Sequence, residues 1–449
     1  MTEAAPRSRW WRPRGVIGEV VGYASERIVR LVLTAVVGVI VARYLGPSGL
    51  GLLSFAAGVF GLLAPLTLLG LPQILVREFS TQDDWRPTLA TALLAQIPVA
   101  AAASMIGFLV VALSRGFERD AVLLAMVMAP MPFLATNQSV RSYFEAMGQV
   151  RRIVVVGLTA GVIGSAWKLG GVVAEASVWV FGAAATIESA VIGFGLLGGL
   201  PARRRLAGLR RHFRRNVAQK LLAESWPLLL SAIAVTIYMR SDLLMLGLIA
   251  GDHETGIYTA AARLSEVWYF IPIAAAAAVR PRLARMYAAG NLNRYLASTQ
   301  QFMTALFALA LLALVFVMLA ANQIIGLLYG SEFLPASRVL VIHVFAAPFV
   351  FLGVAGGQWF IDRNMSRVVM IRSTVGAVLN VILNLALIPS QGAMGASIAT
   401  LTAYAVAGVL LNGVSRQTRP LFRLQAWSFV LRWPTTHPPE DEQTETTGQ

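Results

Sequence analysis

Apolar runs long enough to cross a lipid bilayer recur along this 449-residue sequence, and short charged segments separate them. A helix of about 20 residues spans a hydrocarbon layer about 30 Å thick. Water is absent at that depth, so each run must satisfy its backbone N–H and C=O groups within its own helix. The sequence therefore predicts an all-α polytopic membrane protein.

The composition supports this class and excludes others. Hydrophobic residues make up 57% of the chain and charged residues 13%, whereas soluble domains carry about 25% charged residues. The sequence has no cysteine, which excludes disulfides, thiol catalysis and zinc–thiolate sites. The net charge of +15 would also fit nucleic-acid binding, but Lys and Arg collect on the cytoplasmic loops of membrane proteins. The basic residues fall mainly between the apolar runs, so we expect no nucleic-acid partner.

The apolar runs predict about twelve spans. The segments between them alternate between arginine-rich and nearly uncharged, which is the pattern of cytoplasmic and external loops. Because the number of spans is even, both termini are predicted to lie in the cytosol. The predicted spans are residues 20–44, 49–76, 88–113, 121–144, 153–173, 177–200, 221–250, 256–279, 297–321, 338–361, 367–389 and 393–414.

A polybasic stretch divides these spans into two sets of six. Gly46–Gly51 and Gly251–Gly256, the two glycine motifs, both read G-x4-G and follow the first span of their set. We interpret them as equivalent external turns of two pseudo-symmetric halves, an architecture used by transporters. The predicted divisions are a basic cytosolic tail (1–19), an N-terminal six-helix lobe (20–200), a polybasic cytosolic linker (201–220), a C-terminal six-helix lobe (221–414) and a cytosolic tail that is first interfacial and then disordered (415–449).

The motifs that would signal enzymatic chemistry are missing or out of context. The sequence has no G-x-x-x-x-G-K-[ST] phosphate loop and no G-x-S-x-G nucleophile motif. Gly193–Gly198 matches G-x-G-x-x-G, but it ends an apolar span instead of following a strand, so it is typical of helix packing. The four histidines are scattered without the spacing of metal ligands. We therefore predict no catalytic residue, no metal and no cofactor.

Arg240 and Asp242 lie inside a predicted span, about 15 Å from its Gly251 end and near the bilayer centre. An arginine at that depth costs about 2.5–3.5 kcal/mol, so such residues usually face a partner or a water-filled cavity. Residues two apart on a helix point to different sides, so the two cannot form a simple same-face pair. Their partners are expected on other helices.

Further charged residues lie on other predicted spans. Arg263 and Glu266 are three residues apart on span eight, Arg30 is on span one, and Arg141 is at the inner end of span four. Arginines in a membrane cavity suit an anionic ligand, because guanidinium binds phosphate oxygens bidentately. The alternative interpretation is that the charges only neutralise one another and that Arg141, near Glu145, snorkels to the interface.

Several stretches, taken in their order and spacing, resemble one family over roughly residues 25–415. These stretches are Ala42–Gly51, Leu69–Glu78, Tyr238–Gly247, Glu254–Tyr258 with Arg263, and Asn380–Pro389 with Gly392 and Gly395. They look like the polysaccharide biosynthesis (O-antigen and exopolysaccharide) flippases of the multidrug/oligosaccharidyl-lipid/polysaccharide exporter superfamily. Two further helices of the lipid II flippases have no counterpart, which favours the oligosaccharide branch.

The resemblance implies two six-helix lobes around a cationic cavity that opens alternately to each side of the bacterial inner (plasma) membrane. It implies a polyprenyl-diphosphate-linked oligosaccharide as substrate, contact with membrane lipids, and a polysaccharide polymerase and glycosyltransferases as partners. The residues expected to bind the substrate are Arg30, Arg141, Arg240 and Arg263, and those expected to couple transport to an ion are Asp242 and Glu266.

Three other functions remain open from the sequence. A cation-coupled multidrug exporter of the same fold would favour an acidic or aromatic cavity. A membrane-bound polymerase or ligase would need a large external loop with catalytic residues. A non-transporting subunit of a polysaccharide assembly complex would tolerate changes at Arg240 and Asp242.

Overall fold

A computed structural model of the chain describes residues 13–82, 84–200 and 212–434, without the side chains of residues 13–32 and of Tyr238. Three of the predicted divisions are therefore described only in part. Residues 1–12 of the basic tail, residues 201–211 of the polybasic linker and residues 435–449 of the C-terminal tail lie outside the described residues.

The described residues form helices joined by short connections, and no strand occurs among them. The first part of the chain forms α1 (Pro13–Leu68), α2 (Pro72–Thr81), α3 (Arg86–Ser114), α4 (Arg119–Met128), α5 (Met131–Ala135), α6 (Asn137–Ala146), α7 (Val150–Val173) and α8 (Val178–Leu197). The remainder forms α9 (Arg215–Ile249), α10 (Gly251–Val267), α11 (Phe270–Ala288), α12 (Leu292–Leu328), α13 (Ala336–Val344), α14 (Ala347–Ala355), α15 (Gly357–Asp362), α16 (Ser366–Gly408) and α17 (Arg419–Phe429).

Within the described part of the chain, ten helical segments are long and apolar enough to cross a membrane. Two of them, Leu33–Thr81 and Ser366–Gly413, each contain two spans, because the helix is broken at a glycine. The ten segments thus provide twelve spans. The predicted all-α polytopic membrane fold with about twelve spans is confirmed.

The two helix breaks need glycine for a backbone reason. Gly46 has φ 65° and ψ 179°, and Gly392 has φ 52° and ψ −130°. Side chains with a Cβ rarely adopt such positive φ values, whereas glycine does so at no steric cost. Each break therefore depends on one residue, and α1 and α16 each continue in a new direction after it.

The two glycine motifs do not form the multi-residue turns predicted from the sequence, and their place on the external side of the membrane stays a prediction. Only the first glycine of each is non-helical, Gly46 with φ 65° and Gly251 with φ 84°, and the residues that follow are already helical. The change of direction is absorbed by one residue, so no multi-residue turn is needed. In the first motif Pro47 follows the break, where its fixed φ suits the first position of a helix.

The chain divides into two compact units. Unit 1 comprises residues 1–45 and 52–236, and unit 2 comprises residues 46–51 and 237–449. The division falls inside α9 and not in the 201–220 linker, so the first half of this helix belongs to unit 1 and the second half to unit 2. The lobe limits at 200 and 221 remain a prediction.

Unit 1 holds the first half of α9 through a close backbone approach and charged side chains. A Cβ at Gly70 would lie 2.6 Å from the Ser225 carbonyl oxygen, so only glycine allows α9 to come this near. Lys220 of α9 donates to the Glu78 carboxylate of α2 at 3.0 Å. Arg77 of α2 forms an ion pair with Glu224 of α9. These contacts explain why the unit boundary lies beyond residue 225.

The two glycine motifs cross each other within unit 2. A Cβ at Gly51 would collide with the backbone carbonyl of Asp252, and a Cβ at Gly256 would collide with the carbonyl of Pro47. The last glycine of each motif, Gly51 or Gly256, thus packs against the second residue of the other motif, Asp252 or Pro47. Such reciprocal contacts fit the pseudo-symmetry inferred from the repeat.

The C-terminal tail, predicted to be interfacial, begins as an amphipathic helix that packs onto unit 2. The side of α17 that carries Leu421, Gln425 and Ser428 is fully buried. Gln425 donates to the Gly408 carbonyl at 3.0 Å and accepts from Asn412 Nδ2 at 2.8 Å. The helix α17 therefore helps to satisfy the carbonyls at the end of α16, which are otherwise left without intrahelical partners.

Replacing Gln425 by alanine is expected to destabilise the folded protein by about 1–3 kcal/mol, because it removes a buried hydrogen-bond partner of Asn412. Thermal unfolding of the detergent-solubilised protein measures this effect. Val430→Ala, at an exposed position just after α17, is the control and should leave the unfolding temperature unchanged. Equal unfolding temperatures for both variants would mean that α17 is not integral to unit 2.

Candidate functional site

Asp242, on the second half of α9, is the centre of a polar cluster in unit 2. Its Oδ1 accepts the backbone N–H of Leu243 at 2.8 Å. Its Oδ2 accepts the hydroxyl of Tyr258 on α10, and the hydroxyl of Thr400 on α16 lies 3.4 Å from the same oxygen. One carboxylate thus links α9, α10 and the second half of α16, which confirms that its partners are on other helices.

Two asparagines on the first half of α16 extend the cluster. Asn380 Oδ1 accepts from the hydroxyl of Ser241 and from Asn384 Nδ2, both at 2.9 Å. Asn380 Nδ2 lies 3.4 Å from the Thr400 hydroxyl. Asn384 is fully buried, and its Oδ1 has no hydrogen-bond partner among the described residues.

His343 on α13 joins the cluster from another side. The ring is 2% exposed, its Nδ1 lies 2.9 Å from the Ser265 hydroxyl of α10, and it packs edge-on against Tyr258 with ring centroids 5.8 Å apart. Buried His343 therefore holds α10 in place next to the residue that donates to Asp242.

These helices enclose a small polar cavity of about 20 Å³, counted as the space open to the centre of a water molecule. A space of this size holds about one water molecule or a small ion and is too small for an organic molecule. Oxygen atoms dominate its polar lining, which suits a proton, water or a small cation more than an anion. The lining residues are Met239, Asp242, Glu266, His343, Asn380, Thr400, Ala403 and Tyr404.

The cavity brings together the two acidic residues predicted from the sequence, Asp242 and Glu266. Arg240 and Arg263 lie near them with exposed side chains, and both arginines act electrostatically on Glu266. Among the residues that the structure describes, neither arginine lies within ion-pair distance of an acidic side chain. Their guanidinium groups therefore retain donors for a ligand.

The other two predicted arginines differ in what the structure shows of them. Arg141 is on α6 in unit 1, where its Nε donates to the Glu145 carboxylate at 2.8 Å across one helical turn. Part of its donor capacity is thus already used. Arg30 is on α1, and its side chain lies outside the described residues.

Sequence reasoning missed the residues that complete the cluster: Tyr258, Ser265, His343 and Thr400. No local spacing in the sequence connects any of them with Asp242. Polar residues within apolar spans were the available signal, since they usually bond across helices. Only the packing of the helices identifies their partners.

Two family models match the sequence. The model described as "Polysaccharide biosynthesis protein" matches residues 23–287, and the one described as "MatE" matches residues 227–386. The first match covers more than half of the chain and includes Arg240, Asp242, Arg263 and Glu266. The second extends beyond Asn384 of the polar cluster.

A curated relative shares part of this sequence. It is the probable low-salt glycan biosynthesis flippase Agl15 of Haloferax volcanii, which is 26% identical over 180 residues. The match covers 40% of this chain and 38% of the relative, so this chain matches less than half of that protein's length.

Solved structures of two transporters share the fold. The lipid II flippase MurJ in an inward closed conformation superposes with a TM-score of 0.73 at 13% identity, over 91% of this chain and 90% of MurJ. An inward-facing multidrug resistance transporter of the MATE family has a TM-score of 0.64 at 17% identity, over 89% and 95%. These structures show the fold, and the family match over residues 23–287 shows that this chain belongs to the polysaccharide biosynthesis protein family.

Proposed function

We propose that this protein moves a polyprenyl-diphosphate-linked oligosaccharide from the cytosolic to the outer leaflet of a bacterial inner membrane. Family membership and the glycan flippase named among its relatives support this substrate class. Both termini would lie in the cytosol, and a polysaccharide polymerase and glycosyltransferases would act on the same glycan. The transfer needs no covalent step, so no catalytic residue is assigned.

The observation that carries the proposal is a pair of exposed arginines, Arg240 and Arg263, on helices of a membrane protein without an acidic ion-pair partner among the described residues. Retaining a guanidinium group on a membrane span is costly unless it serves a ligand or a wet passage. A diphosphate offers the oxygens that guanidinium binds bidentately. We assign Arg240 and Arg263 to headgroup binding, with Arg30 and Arg141 as further candidates.

Asp242 and Glu266 are proposed to couple this movement to an ion. Asp242 accepts hydrogen bonds from α9, α10 and α16. Protonation would convert one of its oxygens from an acceptor into a donor, and a bound cation would compete with Tyr258 and Thr400 for the same oxygens. Either event would change the contacts among three helices. An ion can shift a conformational equilibrium only through such a difference between states.

Arg240→Ala is expected to reduce glycan export by about 10–100-fold, because a hydrogen bond to a charged group contributes about 1.5–3 kcal/mol. The measurement uses a strain that lacks the protein and accumulates lipid-linked oligosaccharide on the inner leaflet. Wild type should clear the accumulation and Arg240→Ala should not. Arg119→Ala, at an exposed arginine in unit 1, is the matched control and should clear it fully.

Two outcomes would contradict the proposed role of Arg240 or the proposed substrate. Full clearance by Arg240→Ala would exclude Arg240 from headgroup binding. Failure of the deletion strain to accumulate any lipid-linked oligosaccharide would reject the substrate itself.

A multidrug exporter is the second candidate function, since the MatE model matches residues 227–386 and the cavity carries Asp242, Glu266 and Tyr404. An acidic and aromatic lining is suited to cationic drugs. Drug efflux from cells that show no glycan phenotype would favour this function. The exposed arginines argue against it, because they would repel a cation.

A further inference from the structure

Glu254 contacts a helix break that lies far from it in sequence. It is in the first turns of α10, and its Oε2 accepts the backbone N–H of Ala393 at 2.8 Å. Ala393 follows directly on Gly392, the non-helical residue at which α16 is interrupted. The contact therefore joins the start of α10 to the start of the second half of α16, the segment 393–408.

This contact has the geometry of a helix cap supplied by another helix. The first N–H groups of a helix have no partner within it, and a negative charge is favourable at that end. A Cβ at Gly392 would collide with the Glu254 carboxylate. Glycine is thus required at position 392 both for its φ of 52° and to admit the carboxylate.

The segment that Glu254 caps carries the residues that face Asp242. Thr400, seven residues after Ala393 and therefore about 10 Å along the helix, has its hydroxyl 3.4 Å from Asp242 Oδ2. Tyr404, one turn further on, lines the same cavity.

A second contact ties the same helix, α10, to the cluster. Tyr258 is four residues after Glu254, which places the two side chains on one face of α10. Tyr258 donates to the Asp242 carboxylate. The helix α10 therefore contacts the cluster directly through Tyr258. One turn earlier, its Glu254 contacts the segment 393–408, which carries Thr400.

We propose that Glu254 is a positioning residue of the ion site: its contact with Ala393 fixes the segment 393–408 and so holds Thr400 against Asp242. Glu254 itself does not line the cavity. Of the two experiments that test this role, the transport experiment rests on the proposed function, whereas the hydrogen-exchange experiment does not.

Hydrogen exchange of the backbone amides provides the structural readout. In Glu254→Ala, the amides of residues 393–400 should exchange at least about tenfold faster than in wild type, because a bond to a charged acceptor is lost. Glu118→Ala, at an exposed glutamate before α4, is the control and should leave exchange in this segment unchanged. Equal exchange in wild type and Glu254→Ala would overturn the proposal.

A double-mutant cycle with Thr400→Val tests whether Glu254 acts through Thr400. The readout is the concentration of proton or sodium ion required for half-maximal glycan transport in proteoliposomes. Glu254→Ala should raise this concentration about three- to tenfold, and the double variant should be no worse than Thr400→Val alone, since coupled residues are not additive. Additive effects would overturn the proposal. If wild type moved no glycan, the proposed function would fail, and the exchange experiment would still decide the role of Glu254.

Discussion

Asp242→Asn is expected to lower ion-dependent glycan export by about 10–100-fold, a loss as large as the one expected for Arg240→Ala. The carboxylate accepts from the Leu243 N–H, the Tyr258 hydroxyl and the Thr400 hydroxyl. Asparagine has nearly the same size but offers one acceptor oxygen, so its NH2 group would face a donor. Hydrogen bonds to charged groups contribute about 1.5–3 kcal/mol each, which sets the expected range.

The measurement is export in proteoliposomes under imposed proton and sodium gradients. Loss of the dependence on one ion, with headgroup binding retained, would identify the ion that acts at Asp242. Asp120→Asn is the matched control, because Asp120 is an exposed carboxylate in the first turn of α4. Export at the wild-type level, with unchanged ion dependence, would remove Asp242 from the coupling site.

Gly256→Ala is expected to destabilise the folded protein by about 1–3 kcal/mol or more. The new Cβ would collide with the backbone carbonyl of Pro47, and a backbone atom cannot swing aside as the end of a side chain can. Overpacking of this kind costs about 1–3 kcal/mol, with larger values where the backbone must move. The unfolding temperature of the purified protein in detergent measures the loss.

Gly61→Ala provides a control for which a change in stability of the opposite sign is expected. Gly61 is inside α1, and a Cβ there would meet nothing within 4 Å. Alanine in a helix interior is more favourable than glycine by about 0.5–1 kcal/mol, so this variant should be slightly more stable than wild type. If Gly256→Ala were as stable as Gly61→Ala, the close crossing of the two glycine motifs would be wrong.

The span pattern could be predicted from the sequence because it depends on local hydrophobicity. Each span satisfies its own backbone hydrogen bonds, so its existence needs no knowledge of its neighbours. The predicted spans 367–389 and 393–414 correspond to the two halves of the helical segment Ser366–Gly413, which breaks at Gly392.

The structural roles of the two glycine motifs could not be predicted from the sequence. The spacing of Gly251 and Gly256 predicts a repeat and a turn. In the structure the first glycine supplies the break and the last one admits a backbone carbonyl from the other motif. Which of these two tasks a glycine performs depends on what packs against it, and sequence spacing does not contain that information.

Sequence patterns are sufficient to predict the membrane class, the number of spans and the unusual placement of charged residues inside spans. These charged residues are Arg240, Asp242, Arg263 and Glu266. These predictions follow from hydrophobicity and from the cost of charge in a bilayer, both of which are properties of short segments. The packing of the helices shows, as the sequence does not, that Asp242 and Glu266 share one cavity. It also shows that Tyr258 and Thr400 complete the contacts of Asp242, and that Glu254 caps a helix 139 residues away in sequence. A hydrogen bond acts over about 3 Å, so its partners depend on how the helices pack and not on their order in the chain.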